Sequence, residues 1–121
     1  MARKSTAIAF VGDLDVEDGE FTLRADRLIV RPDGIAFRLS GRDLYGDFAI
    51  DGIASLAPSG GYASPELRLL YPGYDGVEHA QIRIIRARLS PNRRKCDIEG
   101  VWFQYGDTWN FGGTLDQFAE S

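Results

Sequence analysis

Apolar and polar residues alternate with period two through most of this sequence, in short runs separated by turn signals. A first predicted strand, residues 7–16, places Ile8, Phe10, Leu14 and Val16 on one face, with Asp13 and Asp15 on the other. A second, 20–31, aligns Phe21, Leu23 and Ala25, then slips by one so that Leu28 and Val30 continue the face. Such a slip predicts a β-bulge. In a third, 35–40, Ile35, Phe37 and Leu39 oppose Arg38, and Pro32-Asp33-Gly34 before it predicts a hairpin. A fourth, 44–56, sets Gly46, Phe48 and Ile50 against Asp47 and Asp51. A fifth, 62–71, contains Pro65, whose missing N–H predicts an edge or a bulge. The sixth, 78–89, changes face between Ile84 and Ile85, a further bulge signal. The seventh and eighth, 96–105 and 108–118, flank Gly106-Asp107, a pair that suits a type II′ turn. In that register Trp102 faces Phe111 and Gln104 faces Trp109. Trp102, Trp109, Phe111, Ile98 and Leu115 then share one side of the sheet.

The predicted fold is all-β, an antiparallel meander of about eight strands. It closes as an up-and-down β-barrel or, alternatively, folds over as a β-sandwich. The bulges and in-strand glycines favour the barrel, because closure needs sharp bends. The 14 glycines are spread along the chain and leave no window for a long helix. A short internal echo, Phe10-Val11-Gly12-Asp13-Leu14 against Leu44-Tyr45-Gly46-Asp47-Phe48, fits a repeating hairpin design. The outline is similar to small calycin-type barrels such as avidins and fatty-acid-binding proteins. The likeness is architectural: the Gly-x-Trp that lipocalins carry near their first strand is absent there, and Gly100-Val101-Trp102 lies in the seventh strand instead. No family site is carried over.

A length of 121 residues and a hydrophobic fraction of 44% suit one domain with its own core, residues 1–5 and 119–121 being expected as frayed tails. One cysteine, Cys96, permits no intramolecular disulfide, which fits a cytoplasmic protein. The basic start Met1-Ala2-Arg3-Lys4 is followed by an apolar stretch too short for a signal-peptide core, and no run approaches a membrane span. A net charge of −4 gives no general attraction to nucleic acid or anionic membrane.

Catalytic and cofactor motifs fail on particular residues, so no cofactor and no metal is expected and an enzyme is disfavoured. The acidic run Asp13, Asp15, Glu17, Asp18 and Glu20 does not fit an EF-hand loop, whose sixth position would be Asp18 and twelfth Arg24; it reads as a solvated hairpin. His79 and Cys96, each single in the sequence, cannot build a conventional zinc site. A dyad between them would need proximity that nothing local provides. No phosphate loop, dinucleotide fingerprint or nucleophile elbow is present, and no spacing singles out a carboxylate pair.

Three leads remain, all for non-enzymatic binding. A small apolar or aromatic ligand would be held by Trp102, Trp109, Phe111 and Tyr62, with Arg83 as polar anchor. Alternatively, Val101, Phe103 and Tyr105 on the opposite face of the last hairpin would form a protein–protein or homo-oligomer interface. The basic stretch 83–95, with Arg83, Arg86, Arg88, Arg93, Arg94 and Lys95, would contact an anion or nucleic acid; its plainer reading is a solvated strand face balanced by neighbouring acids.

Overall fold

Eight strands form the wall: β1 (Ile8–Val16), β2 (Thr22–Arg31), β3 (Gly34–Asp43), β4 (Gly46–Leu56), β5 (Tyr62–Leu69), β6 (Glu78–Leu89), β7 (Lys95–Gln104) and β8 (Asp107–Gln117). In this computed structural model, which describes residues 8–118, each strand pairs antiparallel with the next, and β1 pairs with β8 to close a barrel. That last ladder, with Phe10 opposite Gln117 and Val16 opposite Phe111, decides between barrel and sandwich. The expected frayed tails, and Ala7 at the start of the first predicted strand, lie outside the described residues. Among those residues no helix is long and apolar enough to cross a membrane.

Period-two alternation puts one set of side chains inside. Phe10, Ile35, Ile50, Ile82, Ile98, Trp102 and Leu115 are each at most 1% exposed and fill the interior. Burying a side chain of this kind stabilises the fold by roughly 1.5–3 kcal/mol, so the filled lumen is the main source of stability. The bulges expected in the second and sixth strands and at Pro65 lie at Ala25/Arg27, Ile84/Arg86 and Ala63/Glu66; another lies at Phe10/Gly12. They bend the wall so that inward positions stay inward around the curve.

The last hairpin differs from its expected register by two residues. Gln104 pairs with Asp107, Trp102 with Trp109 and Gly100 with Phe111. The turn residues are Tyr105 and Gly106, both with positive φ (57° and 78°), which makes the turn type I′ and not a II′ turn at Gly106-Asp107. Both turns match the twist of the strands, but I′ asks an ordinary residue, Tyr105, to adopt a left-handed backbone. A shift of two preserves the faces, so the expected inward set of Trp102, Trp109, Phe111, Ile98 and Leu115 stands.

One seam in the wall is thin. β4 and β5 pair at Ser55–Ala63 and Leu56–Tyr62, and a separate bridge joins Ala49 to Leu70. Between them Pro65 interrupts the ladder, and Leu67 packs into the space over Gly52, where an added Cβ would collide with its Cδ1. Ser64 bonds across to β6 instead, its Oγ accepting from the Ile82 N–H at 3.0 Å.

The four loops β1–β2, β3–β4, β5–β6 and β7–β8 gather at one end of the barrel, here the mouth. The β2–β3, β4–β5 and β6–β7 connections lie at the other end, the base.

Candidate functional site

Aromatic residues from several elements converge at the mouth. Trp102 on β7 is the deepest, with Phe21 of the β1–β2 loop 5.1 Å away and Phe48 of β4 at 5.8 Å (ring centroids). Trp109 stands edge-on to Phe21 at 5.8 Å. From Phe48 the chain of rings continues to Tyr71 at 5.9 Å, and Tyr71 meets both Tyr45 and Tyr74 edge-on. Tyr45 and Tyr74 are stacked at 4.4 Å, with 12° between their planes. Offset and edge-on pairs at these separations are the favourable geometries for aromatic rings.

The polar tips of these rings are satisfied locally. Trp102 donates Nε1–H to Gln104 Oε1 at 2.9 Å, and Trp109 donates Nε1–H to Glu20 Oε1 at 2.8 Å. The Tyr71 hydroxyl donates to Asp43 Oδ2, and Asp43 Oδ1 accepts the Tyr45 N–H at 2.8 Å, fixing the β3–β4 turn. Tyr74 donates to Oε2 of the buried Glu78 at 3.0 Å. The Tyr71 phenol is held well above the usual tyrosine range, by burial first and then by its bond to Asp43. Tyr74 is raised mainly by its bond to Glu78. Both therefore stay neutral at ordinary pH and present ring faces to anything beside them.

Beside them is a cleft of about 510 Å³ between β4 and the β5–β6 loop, at the mouth end of the thin seam. Its floor includes Phe48 and Leu69, which are core residues 3% and 2% exposed. Leu70, Pro72, Tyr71 and Tyr74 form its walls, and Arg38, Arg68, Asp47 and Asp75 add charged groups to the lining.

The residues expected to hold a ligand are only partly brought together. Trp102 and Trp109 meet at the mouth, Trp102 fully buried. Phe111 lies deeper, its ring over Gly100, where an added Cβ would collide with it. Tyr62, at the far end of β5, packs half-buried against the core near the base. Arg83 is on the outer wall, its Nη2 donating to Ser59 Oγ at 3.1 Å. Phe21, Tyr45, Phe48, Tyr71 and Tyr74 were not singled out. The signal available was Tyr71-Pro72-Gly73-Tyr74, two aromatics inside a turn that needed only punctuation.

Val101 and Phe103 are half-buried on the outer face, and Tyr105 at the turn is 65% exposed. In the basic stretch, Arg86 pairs with Glu99 at 3.7 Å and Lys95 with Asp116 at 2.6 Å, while Arg88 lies opposite Asp97. The acidic run is tied into the fold: Asp13 pairs with Arg24, and Glu17 accepts from Asn110. Among the described residues no group of three or more His, Cys, Asp or Glu is placed to hold a metal.

His79 is exposed near the start of β6, whereas Cys96 is buried opposite Leu89 at its end. Ten residues of strand, roughly 30 Å, separate the two positions, so they form no dyad. Burial, then the charge of Asp97, pushes the Cys96 thiol up to about 11. Native protein is expected to react with a disulfide reagent roughly a hundredfold more slowly than protein unfolded in urea, because attack needs an exposed thiolate. Absorbance of the released thiol reports both rates, and equal rates would contradict the buried placement.

No family model matches the chain, and no curated protein matches it. Its structure is similar to that of bovine odorant binding protein, a lipocalin solved in complex with its natural ligand, with a TM-score of 0.59. That likeness covers 100% of this chain and 78% of the other, at 13% sequence identity. At that identity it is a likeness of fold: a closed, eight-stranded up-and-down barrel of calycin type.

Proposed function

We propose that this barrel binds a small apolar or aromatic molecule in the cleft at its mouth. The observation that carries the reading is how the cleft is built. Its floor is core side chains reached through the thin seam, and its wall is tyrosine rings whose hydroxyls are already bonded to Asp43 and Glu78. Such a surface offers apolar area and π-faces, with a few charged groups at the edge to orient a ligand. Its size falls within the range of about 300–1,000 Å³ usual for small-molecule sites. The filled lumen directs the ligand to the mouth and not to the barrel axis. The fold's likeness to a barrel solved with its natural ligand is in keeping with this reading.

N-phenylnaphthylamine, a neutral aromatic dye that fluoresces when removed from water, is the direct probe. Energy transfer from tryptophan to the dye reports binding to the barrel, and a variant in the cleft wall assigns that binding to the mouth. Saturable enhancement is expected. Leu70→Asp, at a side chain 49% exposed whose own backbone N–H and C=O keep the bridge to Ala49, is expected to weaken binding about tenfold by placing a charge against the dye. A signal that never saturates, or one unchanged by Leu70→Asp, would refute a mouth site.

A further inference from the structure

The outer wall of β2–β4 carries an apolar row that neither the core nor the mouth requires, beside Arg38, which also lines the mouth cleft. Ile29 of β2 faces Ala36 of β3, which faces Ile53 of β4, so an apolar row crosses three strands on the solvent side. Ile53 is 54% exposed. Two residues from Ile29 along β2, in opposite directions, stand Arg27 and Arg31, both exposed. Arg27 lies directly opposite Arg38. Like charges set opposite each other weaken a sheet, so this placement works against the fold. Asp51 answers Arg38 at 2.7 Å, but among the described residues no carboxylate lies within ion-pair distance of Arg27 or Arg31. On a chain of net charge −4, three guanidinium groups and one carboxylate surround an apolar strip.

The strip lies in a shallow, open groove of about 680 Å³, whose lining also includes the small residue Gly52 and the ring of Phe37. Ile29 and Ile53, two ladders apart, stand about 10 Å from each other at the backbone, which leaves room for one flat ring between their side chains.

We propose that this groove is a second binding site, for a small amphipathic anion. A flat apolar body lies over Ala36 between Ile29 and Ile53. A single acidic group, such as a carboxylate, sulfonate or phosphate monoester, is held by Arg27 beside Arg38, while Arg31, about 13 Å further along β2, adds longer-range attraction. The charge pattern selects this ligand: the anion relieves the opposition of Arg27 and Arg38, and the apolar strip excludes a purely ionic one. A polyanion such as nucleic acid is the poorer match, since the centre of the groove is apolar and Asp51 stands at its edge.

Anilinonaphthalene sulfonate, the anionic relative of the neutral dye used for the mouth, is the probe. It is expected to bind saturably and more weakly as salt is added. The double variant Arg27→Gln/Arg31→Gln removes two charges that no described carboxylate pairs with, and it should weaken binding about tenfold or more. It should leave N-phenylnaphthylamine binding unchanged. Amide shifts in an NMR titration of the wild-type protein should concentrate at Ile29, Ala36 and Ile53. Leu70→Asp should spare the sulfonate dye, so the two sites fail separately. No saturable binding, undiminished binding to the double variant, or shifts confined to the mouth would each overturn the proposal.

Discussion

Trp102→Ala is expected to cost about 3–5 kcal/mol of folding stability, the range for removing a fully buried aromatic. Trp102 is 1% exposed and is the largest side chain in the lumen. It contacts Phe21 and Phe48, and its indole N–H is bonded to Gln104. Truncation removes the ring from three partners at once. The gap lies where β7 is paired on both sides, Trp102 standing opposite Ile82 of β6 and Trp109 of β8, so the wall cannot collapse far to fill it. Urea unfolding, followed by circular dichroism, gives the number. Trp102→Phe should lose much less, because it keeps most of the contact and drops the hydrogen bond with its donor. A loss under about 1 kcal/mol for the alanine variant would mean that Trp102 lines a preformed space and not a packed core, and the ligand would then belong inside the barrel.

Gly41→Ala should be nearly as damaging, by the opposite mechanism. Gly41 occupies an inward position of β3, opposite Phe48 on one side and Leu23 on the other. An added Cβ would run into the carbonyl oxygen of Thr22 and stand 2.9 Å from Phe48 Cζ. The first obstacle is backbone held in the β2–β3 ladder, so relief requires moving a strand and not merely turning a side chain. A loss of about 3 kcal/mol is expected, at the upper end of the usual range for overpacking. Gly73→Ala is the control: nothing lies within 4 Å of its added Cβ, and its cost should stay within about 0.5 kcal/mol. Equal thermal shifts for the two variants would rule out the steric account. Gly41→Ala also pushes on the Phe48 ring, so dye binding at the mouth should weaken with stability.

The wall was legible because its rule is local. Alternation marks strands, and a slip in alternation marks a bulge, so the slips after Ala25 and after Ile84 were readable without any partner strand. Ile85, however, expected to continue the apolar face, is the bulged residue and is 52% exposed, leaving Ala87 and Leu89 to pack on the core. The register of the last hairpin was not. It depends on whether Tyr105 accepts a positive φ, and residue preference points away from tyrosine there. The mouth was harder still. Trp102 and Trp109 could be paired from one hairpin, but Phe21, Tyr45, Tyr71 and Tyr74 come from three other connections that only barrel closure brings together. Phe21 meets Trp102 and Trp109 through the β1–β8 ladder, and the three tyrosines meet across the β4–β5 seam; neither pairing carries a local signal. Pro65 announced a weak point in β5, yet where the wall opens into the cleft depends on the Ala49–Leu70 bridge and on Phe48 and Leu69 behind it, which are relations between strands.

Closure also shapes how the chain reaches this state. Every ladder but one joins strands adjacent in sequence, so the wall can grow hairpin by hairpin from nearby contacts. The ladder between β1 and β8 must bring together residues roughly a hundred positions apart, at an entropic cost of about 4 kcal/mol that earlier pairings partly absorb. Before it forms, the molecule is a curled sheet with β1 and β8 as bare edges, the species most exposed to pairing with other copies. Asp13 and Asp15 lie along one of those edges and Asp116 along the other. In the closed barrel Asp15 meets Gly112 and Asp116 meets Val11, so no acid opposes an acid. The same carboxylates that sit comfortably in the correct closure would repel an edge of like kind from a neighbouring molecule, which biases the sheet toward closing on itself.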